Sequence, residues 1–228
     1  MPRLRKKHQP FDIQVQDLML RITAPEEFSE ECRAAALSAW EQLNAYSLRH
    51  PAFRTSKTPI DVPGDAPAIV REMVAASKAA GVGPVVTTHG AVTDHVGRYL
   101  ARVLPEVTVT SGGDFYIRSR KRLKLGLHPS GGRTNGLSLV VDPRRGTEGV
   151  FTSSSQIRLP SQNVDSMAVL ASSCVLADAA AAALMAILSR PGSFRAALSY
   201  VRKLDGVQGA VVTQGRRIGI AGAVELAA

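Results

Sequence analysis

The sequence predicts an α+β fold of antiparallel sheets with packed helices. Three observations lead there. Segments of strand character come in adjacent pairs joined by short polar or glycine-containing turns, as at 107–117 and 207–226. Helical segments come in groups, with apolar residues recurring at three- or four-residue steps. The regular strand–helix–strand alternation of a parallel sheet is not seen. No stretch has the length or composition of a linker, so residues 11–228 read as one domain behind a basic, flexible tail at 1–10. No repeat of 20–50 residues is evident.

Residues 11–22 (FDIQVQDLMLRI) alternate at Phe11, Ile13 and Val15, which predicts a strand or a hairpin turning near Gln16-Asp17. Pro25, Glu26 and Glu27 then open a helix with acids in its first turn, where the helix dipole favours them. Phe28, Cys32, Ala35, Ala36, Ala39, Leu43 and Tyr46 form its apolar face, Trp40 lies beside that stripe, and the helix ends near Pro51. Residues 51–63 read as a Pro-rich connection, with Asp65 the expected N-cap of the next helix. That helix buries Ile69, Val70, Met73, Ala76 and Ala80, and Gly81 is its left-handed cap. Residues 82–88 read as a strand or a tight crossing segment. A helix follows over 90–104, with Val92, Val96, Leu100 and Val103 inward and Pro105 closing it.

Residues 107–110 and 115–117 are strands around Ser111-Gly112-Gly113-Asp114. A polar turn at 118–121 leads back through the alternating Leu123, Leu125 and Leu127. Further strands are expected at 137–141 and 164–171, with a hydroxyl-rich loop at 152–155 between them. Ser172 or Ser173 caps an alanine-rich helix to Leu188, a helix covers 194–204, and a hairpin turning at Gln214-Gly215 ends the chain.

A chain of 228 residues with 45% hydrophobic residues can bury a sizeable core, which excludes an intrinsically disordered protein. Aromatic residues make up 5%, so helices should pack closely through small side chains. The net charge of +9 comes partly from the tail at 2–8 and partly from the run at 118–124. Such runs are either a nucleic-acid footprint or a solvated tail and a charged hairpin tip. No aromatic side chain is interleaved with either to stack on bases, so no nucleic-acid partner is expected. The same field draws a small anionic molecule. Cys32 and Cys174 stand in no paired motif, which suits a reducing cytoplasm. The basic first residues are followed by no apolar segment, so no signal peptide is read. The longest apolar run, 175–188, carries Asp178 and is short for a membrane span. A soluble, cytoplasmic protein without a membrane partner is expected, and a homodimer is compatible with this composition.

Two small-residue loops flank the helix at 90–104: Thr87-Thr88-His89-Gly90 and Ser111-Gly112-Gly113-Asp114. Glycines let backbone N–H groups approach an anion, and Asp114 can accept a hydrogen bond or meet a metal. The alternative is a bulge or turn. Thr152, Ser153 and Ser154 offer hydroxyls to a phosphate, or form a solvated loop. His89 can bind an anion or act as general acid or base, or cap the helix. His95 lies six residues on, on another helix face, so the pair has no metal-binding spacing. Asp178 sits among apolar neighbours and needs a partner: a metal, a ligand or backbone N–H groups. Asp165 could converge on it as a second metal ligand. Cys174 reads as a buried, inert thiol.

The segments GVGPVVTTHGAVTDHVGRYL, VTSGGDFYI, GVFTSSS and VDSMAVLASSCVLADAAAAAL, in that order and spacing, resemble the ApbE superfamily, and most closely its shorter, uncharacterised branch. The main members are FAD:protein FMN transferases, once linked to thiamine biosynthesis. The resemblance covers roughly 11–188 and implies a T-fold-like architecture with a flavin-nucleotide cleft, so FAD or FMN is the implied cofactor. Gly112, Gly113 and Asp114 match the family's Gly-Gly-Asp. Gly90 and Asp94 match its Lys-Gly-Tyr-x-x-Asp helix start, with His89 in place of lysine. Thr152 and Ser153 match its Thr-Ser, and Asp178 matches the aspartate that binds magnesium.

Two departures bear on chemistry. The family's second metal ligand, a threonine four residues after that aspartate, is Ala182 here, and a methyl cannot coordinate magnesium. The family's His-Ile-Ile-Asp-Pro-x-Thr-Gly stretch has no room at 156–164. The expectation is therefore a divergent protein with a flavin- or nucleotide-sized cleft for an anionic metabolite, lacking the standard magnesium-dependent FMN transfer site. The resemblance also implies a link to sulfur assimilation toward homocysteine. His89 and Asp178 are the candidate catalytic residues. Thr88, Gly90, Asp94, Gly112, Gly113, Asp114, Thr152, Ser153 and Ser154 are the candidate ligand-binding ones. An active flavin-phosphate transferase with a rebuilt metal site and a non-catalytic partner-binding protein are the alternatives.

Overall fold

Alternation along the strands sorts side chains onto two faces of a sheet, and both faces are covered here. The computed structural model describes residues 9–127, 137–153 and 164–227. Strands β1 (Gln9–Val15), β2 (Leu18–Ala24), β3 (Val107–Ser111), β4 (Asp114–Arg118), β7 (Gly149–Thr152), β8 (Ser166–Ala171), β9 (Val207–Gln214) and β10 (Arg217–Gly222) form one sheet of eight, in that order. Every neighbouring pair is antiparallel. Strands β5 (Leu123–Gly126), β6 (Ser138–Val141) and β11 (Glu225–Ala227) form a second sheet, ordered β11-β6-β5.

Helices α1 (Ser29–Arg49), α2 (Pro51–Thr55), α3 (Ala68–Ala80), α4 (Thr88–Ala101), α5 (Cys174–Leu188) and α6 (Phe194–Val201) complete the fold. Val109 and Tyr116 belong to the core shared with the helices. Ile117, Val150 and Val211 belong to a separate core with Leu139 and Val141 of the small sheet. The result is three layers, with helices, large sheet and small sheet stacked in turn.

Small residues let the helices approach one another and the sheet. Ala177, Ala179, Ala180 and Ala181 of α5 are fully buried. Gly97 of α4 lies directly against the Tyr116 ring, where a Cβ would overlap it. At Gly90 an added Cβ would come 2.7 Å from the Cys174 carbonyl oxygen and 3.0 Å from Asp178 Cβ, so α4 and α5 touch backbone to backbone.

Most of the expected elements form, with differences that have local causes. Helix α1 starts at Ser29 rather than Pro25; Glu30 and Glu31 supply the acids of its first turn. The connection after Pro51 begins with the short α2, whose buried Phe53 meets the Tyr46 ring edge-on at 5.4 Å. Asp65 does not cap α3: the cap position is Pro67, whose ψ of 144° keeps the chain extended until Ala68. The 82–88 segment is neither strand nor simple crossing but a 3-10 turn over Pro84–Thr87. Val103 lies beyond the end of α4 and is 70% exposed. Gly81 takes φ 63° as a left-handed cap, and Ser173 caps α5 by accepting from Leu176 N–H. The expected β4–β5 hairpin does not pair: β4 bonds to β3 and β7, while β5 crosses to the second sheet. Strand β11 is a separate element within the expected closing hairpin.

Candidate functional site

Ser111 and Asp114 pair across a two-residue hairpin whose turn is Gly112-Gly113. Gly112 has φ 60° and Gly113 does not, the pattern of a turn that needs glycine at its first central position. Thr152 N–H donates to Gly113 O at 2.7 Å, which fixes the end of β7 against the hairpin. The hydroxyl of Ser111 lies 3.3 Å from His89 Nδ1, which brings the first turn of α4 to the same tip. Gly112, Gly113, Asp114, Thr152 and His89 thus come together at one tip. Thr88 precedes His89 and turns its hydroxyl back to Val85 O at 2.8 Å.

Behind the tip are three buried carboxylates. Asp178 Oδ2 accepts from Gly90 N–H at 3.2 Å, so its partner is the N-terminus of α4. Asp94 accepts from Cys174 N–H and Val175 N–H, each at 3.0 Å. Each helix start is therefore held by an acid from the other helix. Asp94, expected as a ligand-binding residue, instead has both oxygens engaged as a cap on α5. Asp114 is 3% exposed, and its Oδ1 has no hydrogen-bond partner among the described residues.

Burial is the main force on these groups. It pushes the Asp178 carboxyl up to about 7, against the Gly90 hydrogen bond that favours the charge. It pushes Asp114 well above the usual carboxylate range, and the charges of Asp178 and Asp94 push it further. Asp94 is also raised by burial, with the two α5 amides pulling the other way. Both causes favour the protonated form of Asp114, which can donate a hydrogen bond. Desolvation lowers His89, with Asp17 opposing, so its imidazole is neutral and can accept a proton.

Other expected residues serve the framework. Ser153 Oγ accepts from Met167 N–H at 2.8 Å and approaches Met167 O at 3.3 Å, a fastening between β7 and β8 rather than a free hydroxyl. Asp165 accepts from Gly215 N–H at 2.6 Å, which places its carboxylate at the β9–β10 turn. Ser154 lies outside the described residues. Among the described residues, no three His, Cys, Asp or Glu side chains form a metal-ligand group. Asp178 has one oxygen on the Gly90 amide, and Ala182, one turn on, supplies no donor. The donors at hand do not fit an octahedral magnesium site.

Sequence reasoning missed Ser111 and Asp17. Ser111 directly precedes the two glycines, which is the signal that could have found it. Cys174, its thiol pushed well up by burial, is the inert buried group expected.

Comparison with known proteins bears on the family and the fold. A family model described as "AbpE bacteria" matches residues 2–205. A UPF0280 protein of Methanopyrus kandleri is 31% identical over 222 residues, covering 92% of this chain and 88% of the relative. A UPF0280 protein of Methanocella arvoryzae is 29% identical over 201 residues, with 87% and 82% covered. Among solved structures, the apo form of the flavinyl transferase ApbE of Pseudomonas stutzeri is similar in fold, with a TM-score of 0.65, 14% identity and 97% of each chain covered. The flavin transferase ApbE of Vibrio cholerae has a TM-score of 0.63 at 12% identity, with 94% and 97% covered. No helix among the described residues is long and apolar enough to cross a membrane.

Proposed function

Because the chain belongs to the ApbE-like family described as AbpE bacteria, we propose that it binds a flavin-type nucleotide or a similar anionic metabolite without the standard magnesium-dependent FMN transfer. The ligand lies against the Gly112-Gly113 hairpin, His89 at the start of α4, and Thr152. Solved structures of similar fold are flavin transferases, which supports a ligand of that size and class. One observation carries the loss of transfer chemistry: the Asp178 carboxylate is engaged by the Gly90 amide, with Ala182 where a second oxygen donor would stand.

In this reading the hairpin offers backbone at close approach, because no side chain stands at its tip. His89 accepts a hydrogen bond or a proton from the ligand. Burial of Asp114 disfavours its charged form, which lessens repulsion of an incoming anion. The protein works in the cytoplasm, and its ligand belongs to sulfur assimilation toward homocysteine, a placement that rests on family resemblance. Deleting the gene should then create a growth requirement that homocysteine relieves; normal growth on inorganic sulfur removes that placement.

The direct test is incubation with FAD, with and without magnesium. FAD or FMN should raise the melting temperature equally in both conditions, and no AMP should appear. Release of AMP together with a fluorescent flavinylated acceptor would show an active transferase with a rebuilt metal site. No shift with any flavin or nucleotide would favour a partner-binding protein.

A further inference from the structure

The large sheet ends in β1 on one side and β10 on the other. The two edges are built differently. Strand β1 carries Pro10, which has no N–H to offer, and its exposed positions include Asp12, paired with Arg21. Proline and charge are the usual guards of a sheet edge. Strand β10 (RIGIAG) has neither proline nor acid, and its Ile218 and Ile220 are 50% and 40% exposed. Among the described residues no strand pairs with its outer side.

The ladder shows which backbone groups of β10 are turned outward. Thr213 O accepts from Asp165 N–H, so the polar groups of Thr213 face β8. Those of Val212 and Gln214 then face β10, as Gln208 O does in accepting from Ala223 N–H. Their register partners Gly219 and Arg217 take the bonds to β9. Ile218 and Ile220 therefore turn both N–H and C=O away from β9. Their side chains lie on the small-sheet face, because Ile220 is opposite Val211 of the second core. Gly219 faces the helices. A Cβ there would come 2.6 Å from Leu198 Cδ1 and 2.6 Å from Phe194 Cε1, two half-buried side chains of α6. Arg216 and Arg217 are exposed together at one end of the strand.

We propose that β10 is the seam of a homodimer, in which two copies pair antiparallel about a two-fold axis at Gly219. Charge selects the direction. Parallel pairing would set Arg216 and Arg217 beside their own copies, whereas antiparallel pairing sends them to opposite ends of the seam. With Gly219 opposite its copy, Ile218 of each chain lies opposite Ile220 of the other. These are the two residues with outward N–H and C=O groups, so each pair can exchange both hydrogen bonds. The β-branched side chains of each pair meet on the same face. A two-fold contact needs a patch that complements itself, and this spacing supplies one. On the helix side, the missing side chain of Gly219 leaves the seam to Phe194 and Leu198 of both copies, which adds apolar surface to the contact. The two large sheets become one, with the helices of both copies on the same side.

The test is sedimentation equilibrium of the full chain across micromolar concentrations, where a monomer–dimer equilibrium is expected. Ile220→Pro removes an N–H that points away from β9, so the β9–β10 ladder remains while the seam loses a bond in each half. It should weaken the dimer by about tenfold or more. Ile218→Lys should weaken it too. Ile218→Lys/Ile220→Glu sets opposite charges across each pair and should bind more tightly than Ile218→Lys alone. Val103→Lys, which charges an apolar side chain exposed elsewhere, should dimerise as the parent does. Circular dichroism checks that each variant is folded, and the charge variants carry the test if Ile220→Pro is not. A parent that stays monomeric throughout would overturn the proposal. So would a dimer indifferent to Ile218→Lys and Ile220→Pro, or one weakened equally by Val103→Lys. Failure of the second charge to restore affinity would overturn the register centred on Gly219.

Discussion

At the scale of single residues, Asp178 holds the most chemical information. Its proton affinity rises on folding from the ordinary 3.8 to about 7. Below pH 3.8 the carboxyl is neutral in both states, and its contribution to stability is fully present. As pH rises the unfolded chain ionises first, and the contribution is lost as pH passes through about 7. Asp178→Asn keeps an oxygen for Gly90 N–H and never ionises. In metal-free buffer it should match the parent near pH 4 and exceed it by about 2 kcal/mol above pH 7. Urea titrations across that range check this, and parallel curves for the two proteins would remove the argument. Gly90→Ala should destabilise by about 2–3 kcal/mol, because its methyl group meets Cys174 backbone rather than a movable side chain. Cys32, its thiol pushed up to about 12 by burial, should not react with an aromatic disulfide at pH 8 until the protein is unfolded. Fast labelling of the native protein would contradict that.

Among elements, the α4–α5 pair is the unit that places the site. Asp94 and Asp178 exchange carboxylates across it, each holding the other helix's first turn. Asp94→Ala should leave the buried Cys174 and Val175 amides unpaired and cost about 3 kcal/mol. Hydrogen exchange should then quicken at the start of α5 before it does in β8; uniform exchange would mean the cap is unimportant. This exchange also shows where sequence reasoning stops. Periodicity revealed both helices, and the apolar neighbours of Asp178 showed that it needs a partner. The spacing of Asp94 could not show that its partners lie 80 residues away, on another helix's backbone. The same limit hid the role of Ser153, whose Met167 partner lies across a strand pair. The Gly112-Gly113 turn was legible because its cause is local: a two-residue hairpin needs that residue type. Asp65 and Val103 were misread from local rules because Pro67 and the end of α4 overrode them.

For the whole molecule, the ordering of layers matters most. One sheet serves two cores, one with the helices and one with the small sheet. The proposed flavin-type site belongs to the helix side, where α4 and α5 frame Asp114 and Asp178. Removing residues after Gly222 deletes β11 and strips Val224 and Leu226 from the second core. That truncation should lower stability by about 2–4 kcal/mol. It should expose β6 amides to exchange while leaving the α4–α5 pair protected. If both sides lose protection together, the two cores form a single cooperative unit.

Strand β6 has a neighbour on each side, and they come from very different times in the life of the nascent chain. Its β5 partner is made before it, whereas β11 begins 84 residues after β6 ends, from Val141 to Glu225. At about 5–20 residues per second, the ribosome leaves β6 with one bare edge for several seconds. An edge of that kind can recruit strands from neighbouring chains. Strand β11 therefore acts as a closing stitch, and a ribosome that stalls before it would release a chain with an adhesive seam along β6.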